Sequence, residues 1–138
     1  YKKKLVRLTE QYRLTKQIRF IDHCKDMALA YQVSDIVISP SIEPEAFGRV
    51  AVEAQSMEKL IIASNIGGSN ETLINEKTGF LFDSGDSNSL SKRIIQAITM
   101  DQSLLKLIGK EGRKNIIKKF NVEKMCFSTY SEYKRLLN

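Results

Sequence analysis

Between Asp35 and Glu71 the chain reads DIVISPSIEPEAFGRVAVEAQSMEKLIIASNIGGSNE, and this stretch limits the fold more than any other. An apolar run, Ile36-Val37-Ile38, ends in a loop that holds both prolines of the protein, Pro40 and Pro44. Helical periodicity follows from Gly48 to about Met57, with Val50, Ala51, Ala54 and Met57 on or near one face. A second apolar run, Leu60-Ile61-Ile62-Ala63, leads to a loop with paired glycines, Gly67-Gly68. Apolar runs without alternation suit strands covered on both faces, and strands joined through a helix must be parallel. The stretch therefore demands an α/β sheet. In open sheets of this kind ligands bind at the carboxyl ends of the strands, so the two loops are where chemistry is expected.

The rest of the chain extends the alternation. Residues 1–14 place Leu5, Leu8 and Tyr12 on one face of an amphipathic helix. Ile18-Arg19-Phe20-Ile21 reads as a short strand, and Lys25–Gln32 as a helix with Met27, Ala30 and Tyr31 inward. Further strands are expected at Asp35–Ser39, Leu60–Ser64 and Phe80–Phe82, with a short helix over Glu71–Asn75. Asp86 or Ser87 caps a helix with a Leu90, Ile94, Ala97, Ile98 stripe, Asp101 caps the next, and Asn121 the last. Gly109 and Gly112 predict a break or kink before Ile116. At 138 residues the chain suits one domain: a Rossmann-like parallel sheet of about four strands with flanking helices.

Charge and cysteine usage narrow the setting. Net charge is +6, but unevenly spread: residues 1–25 and 106–138 are strongly basic, and the middle is acidic. Basic ends can contact nucleic acid or an anionic membrane surface, but the reading preferred is a solvated helix face, and nucleic acid is disfavoured as a partner. No apolar run approaches the roughly 20 residues a membrane-spanning helix needs. Cys24 and Cys126 form no CxxC, and His23 is the only histidine. His23-Cys24 are neighbours on an expected strand and would face opposite ways, so no metal site is read there. Two lone cysteines without a secretory signal point to reduced thiols and the cytoplasm.

The chemistry centres on Glu45, Gly48 and Glu53. A loop ending in glycine at a helix start exposes unpaired backbone N–H groups, and these with the helix dipole favour a phosphate. Carboxylates beside a phosphate repel it unless they accept hydrogen bonds from hydroxyls. Sugar and ribose supply such hydroxyls, which points to a sugar nucleotide.

Ser39-Pro40-Ser41, Glu45-Ala46-Phe47-Gly48, Glu53-Ala54, Ile61-Ile62-Ala63-Ser64, Gly67-Gly68 and Glu71, followed by Thr78-Gly79-Phe80-Leu81 and Phe120, resemble the donor-binding domain of retaining glycosyltransferases with the two-Rossmann (GT-B) architecture. The set most resembled is the glycosyl transferases group 1 (family 4), over roughly residues 5–135. The resemblance implies that Glu45 is the first glutamate of a Glu-x7-Glu motif, contacting the transferred sugar near its anomeric carbon, and that Glu53, the second, binds the ribose hydroxyls. It implies that backbone around Phe47, Gly48, Arg49 and Val50 holds sugar and diphosphate oxygens. Gly67 and Gly68 would keep one wall of the cleft small, and Glu71 would buttress that loop. The donor would be a UDP-, GDP- or ADP-sugar and the acceptor a saccharide or lipid-linked glycan, as in polysaccharide or lipopolysaccharide biosynthesis. No metal or other cofactor is expected, and no Asp-x-Asp motif occurs.

The match also has gaps. Glu58 and Glu76 stand where the family commonly has glycine, which costs about 1 kcal/mol each if a left-handed backbone is kept. The family's donor domain opens with two further strands and a basic Gly-Arg…Lys-Gly motif, preceded by an acceptor-binding domain. The helix-first order is therefore read as residues 1–138 of a truncated C-terminal half. Three readings stay open: part of a glycosyltransferase completed by a complementary N-terminal chain; an inactive remnant binding a nucleotide weakly or not at all; and a protein or membrane interaction module whose basic ends contact membrane or nucleic acid. The resemblance also implies a place peripheral at the inner membrane face, where the family's acceptors often lie. An exposed sheet edge would also allow self-association.

Overall fold

The computed structural model describes residues 1–137 and places the apolar run Leu60–Ser64 at the centre of a three-stranded parallel sheet. In chain order the elements are α1 (Lys2–Gln11), α2 (Met27–Gln32), β1 (Ile36–Ser39), α3 (Arg49–Ser56), β2 (Leu60–Ser64), α4 (Ser69–Thr72), β3 (Phe80–Phe82), α5 (Ser87–Thr99), α6 (Gln102–Lys119) and α7 (Val122–Leu137). Every residue of β2 is buried, because β2 pairs on one side with β1, Ile36 opposite Leu60, and on the other with β3, Ile62 opposite Phe80.

The pleat sends alternate residues to two cores. Ile61 and Ala63 meet Tyr31, Ala51, Ala54 and Leu73 on one face. Leu60, Ile62, Phe80 and Phe82 meet Ala97 and Ile108 on the other, with Leu90 and Ile94 of α5 packed against them. Helices therefore cover both faces, which is the doubly wound arrangement the apolar strands called for.

Three caps form where the sequence placed them. Asp86 accepts from the amides of Asn88 and Ser89 at the start of α5, Asp101 from Ser103 at α6, and Asn121 from Lys124 at α7. Five expectations are corrected. Ile18–Ile21 forms no strand, so the sheet has three strands and not four. Among the described residues no strand lies beside the 18–21 segment to pair with it, and Ile21 is 79% exposed. In the order β1-β2-β3, β1 is an edge strand among the described residues, and Ile38 is half-exposed where cover on both faces was expected. Met27 also stays partly exposed beside the buried Tyr31.

The short helix after β2 is Ser69–Thr72, earlier than expected, because Gly68 already takes a helical backbone at its start. Finally, α6 runs unbroken through both of its glycines. A Cβ on Gly109 would stand 2.1 Å from the Glu58 carbonyl oxygen, and one on Gly112 would lie 3.1 Å from Gln55 Cγ. These glycines let α6 approach α3 closely, and that packing offsets their poor helix propensity of about 1 kcal/mol each.

Candidate functional site

The carboxyl ends of β1 and β2 carry the two loops the sequence singled out, and those loops lie against each other. The amide of Gly68 donates to the Glu45 carbonyl at 2.8 Å. A Cβ on Gly68 would stand 2.4 Å from the Phe47 carbonyl carbon, and one on Gly67, at φ 57, would stand 2.6 Å from the Glu45 carbonyl oxygen. The paired glycines are thus required by contact between the two loops. Ser84, just beyond β3, donates to the Ser41 carbonyl at 3.1 Å and ties the third strand end to the same loop.

Gly48 precedes α3 at φ 75, a left-handed conformation that glycine adopts without a Cβ penalty. Among the described residues no side chain caps this helix start. Ala51 and Val52 donate back to the Gly48 carbonyl, while the amides of Arg49 and Val50 have no partner among the described residues. The first turn therefore presents free N–H donors at the strand ends, where the dipole is positive.

Glu45 is exposed in the loop just before this turn, and its Oε1 accepts from the Ser41 hydroxyl. Phe47 places its ring edge-on to Phe120, centroids 5.5 Å apart. A largely apolar crevice of about 510 Å³ opens beside them, bounded by Lys119, Val122 and Met125 at the α6–α7 junction.

One turn into α3, Glu53 has both carboxylate oxygens engaged. Arg49 Nη2 donates to Oε1 at 3.0 Å, and the Tyr31 phenol donates to Oε2 at 2.9 Å. Burial, then the hydrogen bond to Glu53, then the Glu53 charge together push the Tyr31 phenol up to about 12, with Arg49 partly opposing. Sequence reasoning gave Tyr31 only a core position; its partner was not readable, because the pair spans two helices.

Glu71 is exposed in α4, and among the described residues its carboxylate has no hydrogen-bond or ion-pair partner. The tie expected of it is made by the Gly68 amide. Glu45, Phe47, Gly48, Arg49, Val50 and Glu53 are thus carried on one loop and the helix it opens, with Gly67 and Gly68 packed beneath them. Among the described residues no group of three or more His, Cys, Asp and Glu is gathered as a metal site, and no helix is long and apolar enough to cross a membrane.

The same fold occurs in known proteins. A family model described as "Glycosyl transferases group 1" matches residues 1–118. The capsular polysaccharide biosynthesis glycosyltransferase CapM of Staphylococcus aureus is 32% identical over 117 residues, 85% of this chain and 30% of that protein. A glycosyltransferase from Rickettsia africae superposes with TM-score 0.93 at 35% identity, covering 99% of this chain and 36% of that one. Anabaena HepE, solved in complex with UDP, superposes with TM-score 0.92 at 26% identity, covering 98% of this chain and 37% of that one. The chain thus spans about a third of the length of these relatives.

Proposed function

This chain belongs to the glycosyl transferases group 1 family, and from that premise we propose that residues 1–138 form the donor-binding domain of a retaining glycosyltransferase. The donor is a sugar attached to a nucleoside diphosphate, and the acceptor is a saccharide or a lipid-linked glycan. The observation that carries the reading is the uncapped start of α3, whose free Arg49 and Val50 amides sit between Glu45 and Glu53 at the strand ends.

Each part has a physical role in this reading. The amides of the first turn and the helix dipole stabilise the diphosphate, most strongly as it gathers charge on leaving. Glu45, in the loop before the turn, accepts hydrogen bonds from the transferred sugar beside the anomeric carbon. Glu53 accepts from the ribose hydroxyls. Rate acceleration comes mainly from orienting the acceptor and stabilising the leaving diphosphate, so no metal enters the reading. The basic groups that complete diphosphate neutralisation, and the acceptor wall, come from polypeptide outside residues 1–138, in the same or a complementary chain. The setting is the cytoplasm, at or near the inner membrane face. That HepE has been solved with UDP and with UDP-glucose supports a uridine donor class here.

Amide-resolved NMR of the labelled chain tests this. UDP should shift the resonances of Gly48, Arg49, Val50 and Gly68 before others. Binding that moves none of the four overturns the site. With the rest of the enzyme supplied, the product anomer should keep the donor configuration; an inverted product contradicts retention.

One observation favours a second reading. None of the residues of α7 is buried, and Val122, Met125, Phe127, Tyr130 and Tyr133 stand exposed. An interaction module would use this helix against a protein or membrane surface. Sedimentation with anionic vesicles that is lost on Phe127→Glu would support that reading.

A further inference from the structure

We propose that Tyr31 is a positioning residue for the donor ribose: its phenol holds the Glu53 carboxylate in the orientation from which Glu53 accepts the ribose hydroxyls. The inference rests on the reading of Glu53 as the ribose acceptor and adds to it a residue on a different helix.

The two partners of Glu53 are unequal. Arg49 is on the same helix, four residues earlier, and its side chain is 84% exposed, so a ligand can displace it at little cost. Tyr31 is 5% exposed and packed in the core with Ala51 and Ala54, so its ring cannot follow a moving partner. The phenol therefore sets the position of Oε2, 2.9 Å away, while Oε1 carries the displaceable arginine. A carboxylate offers about four lone-pair sites. With Tyr31 on one and Arg49 on another, two remain for the two neighbouring hydroxyls of a ribose. The carboxylate borders an open cavity of about 360 Å³ between α2 and α3, lined also by Met27 and Met57, so a ligand has access.

The direction of the bond matters too. With its pKa raised to about 12 the phenol stays protonated and remains a donor. A carboxylate accepts and does not donate, so with the phenol on Oε2 the remaining lone pairs of Glu53 select hydroxyls over groups that can only accept.

A purely structural role for the bond, pinning α2 to α3, predicts something different from positioning. Positioning affects only ligands that carry ribose hydroxyls. Calorimetry should therefore compare UDP with 2′,3′-dideoxy-UDP on the wild-type chain, Tyr31→Phe, Glu53→Gln and the double variant. The wild type should bind UDP about tenfold more tightly than the dideoxy nucleotide, a difference of about 1.4 kcal/mol. Tyr31→Phe should lose most of that preference while binding dideoxy-UDP unchanged, and should add nothing once Glu53→Gln is present. Equal weakening of both nucleotides, or of neither, overturns the positioning role while Glu53 keeps its own. A wild type that does not discriminate the two overturns the ribose reading itself, and this inference with it. A structure of the unmodified chain with UDP gives the same decision without a variant. Glu53 should contact ribose and Tyr31 together, and a Glu53 that leaves Tyr31 to reach the ribose contradicts the proposal.

Discussion

The Gly68 amide donates to the Glu45 carbonyl at 2.8 Å, and this single bond lays the loop after β2 on the loop that opens α3. The contact leaves no room for a side chain, since a Cβ on Gly68 would fall 2.4 Å from the Phe47 carbonyl carbon. Gly68→Ala must push the two loops apart. We expect a loss of about 2 kcal/mol or more, seen in urea unfolding, because backbone and not a flexible side chain has to move. Nucleotide affinity should fall with it, while Gly85→Ala, which meets nothing within 4 Å but sits at φ 78, should cost stability alone.

Glu58 and Glu76 hold left-handed backbone at φ 57 and 64, so the strain anticipated at these two glycine positions is present. Glu58→Gly should stabilise the protein by about 1 kcal/mol. Glu76→Gly should gain less, because it loses the Arg93 ion pair at 3.0 Å, closer and less exposed on the arginine side than the 3.8 Å pair of Glu58 with Arg113. Unfolding midpoints that fall for both variants would contradict the strain account.

Gln55 is fully buried, and its Nε2 donates to the carbonyls of Ala51 and Thr72, yet its Oε1 has no partner among the described residues. An unpaired buried acceptor costs about 1–3 kcal/mol. Asn115 also donates to the Thr72 carbonyl at 3.1 Å, so that group stays satisfied without Gln55. Gln55→Met should therefore leave stability unchanged or raise it by about 1 kcal/mol. Gln55→Ala should lower it by about 2 kcal/mol through the cavity it leaves beside Gly112. Thermal unfolding of the two variants distinguishes these outcomes.

The Tyr31 phenol titrates at about 12 in the folded chain against 10.0 for an unperturbed tyrosine. A group raised on folding contributes stability that is complete below its unfolded value and disappears as pH rises through the folded one. The Tyr31 contribution is therefore intact below pH 10.0 and is lost toward pH 12. Tyr31→Phe should be less stable than wild type at neutral pH, by about 1 kcal/mol, and the gap should close as pH climbs. A gap that widens with pH would contradict the assignment.

How much of this was legible in the sequence follows from what local patterns encode. Periodicity and turn chemistry act within a few residues, so the caps at Asp86, Asp101 and Asn121 and the strands at Ile36–Ser39 and Leu60–Ser64 were readable. Strand formation at Ile18–Ile21 depended on a neighbour, and a run of β-leaning residues cannot report whether that neighbour is there. Gly109 and Gly112 weaken a helix taken alone; their use became visible only with the Glu58 carbonyl and Gln55 packed over them. In the candidate site, Glu45, Gly48 and Glu53 could be placed together from the sequence because one loop and one helix carry them. Ser41 and Tyr31, which hold the two carboxylates, were not given roles, since a hydroxyl beside a strand end or on an apolar helix face has many uses.

The central claim is that the start of α3 with Glu45 and Glu53 holds a nucleoside diphosphate. The most direct measurement is titration of the chain with UDP, GDP and ADP, followed by the unfolding temperature, since a ligand that binds only the native state must raise it. The account predicts a saturable rise with at least one of the three at millimolar concentration, reduced by Glu53→Gln. No rise with any of them, or a rise of the same size in Glu53→Gln, would contradict it.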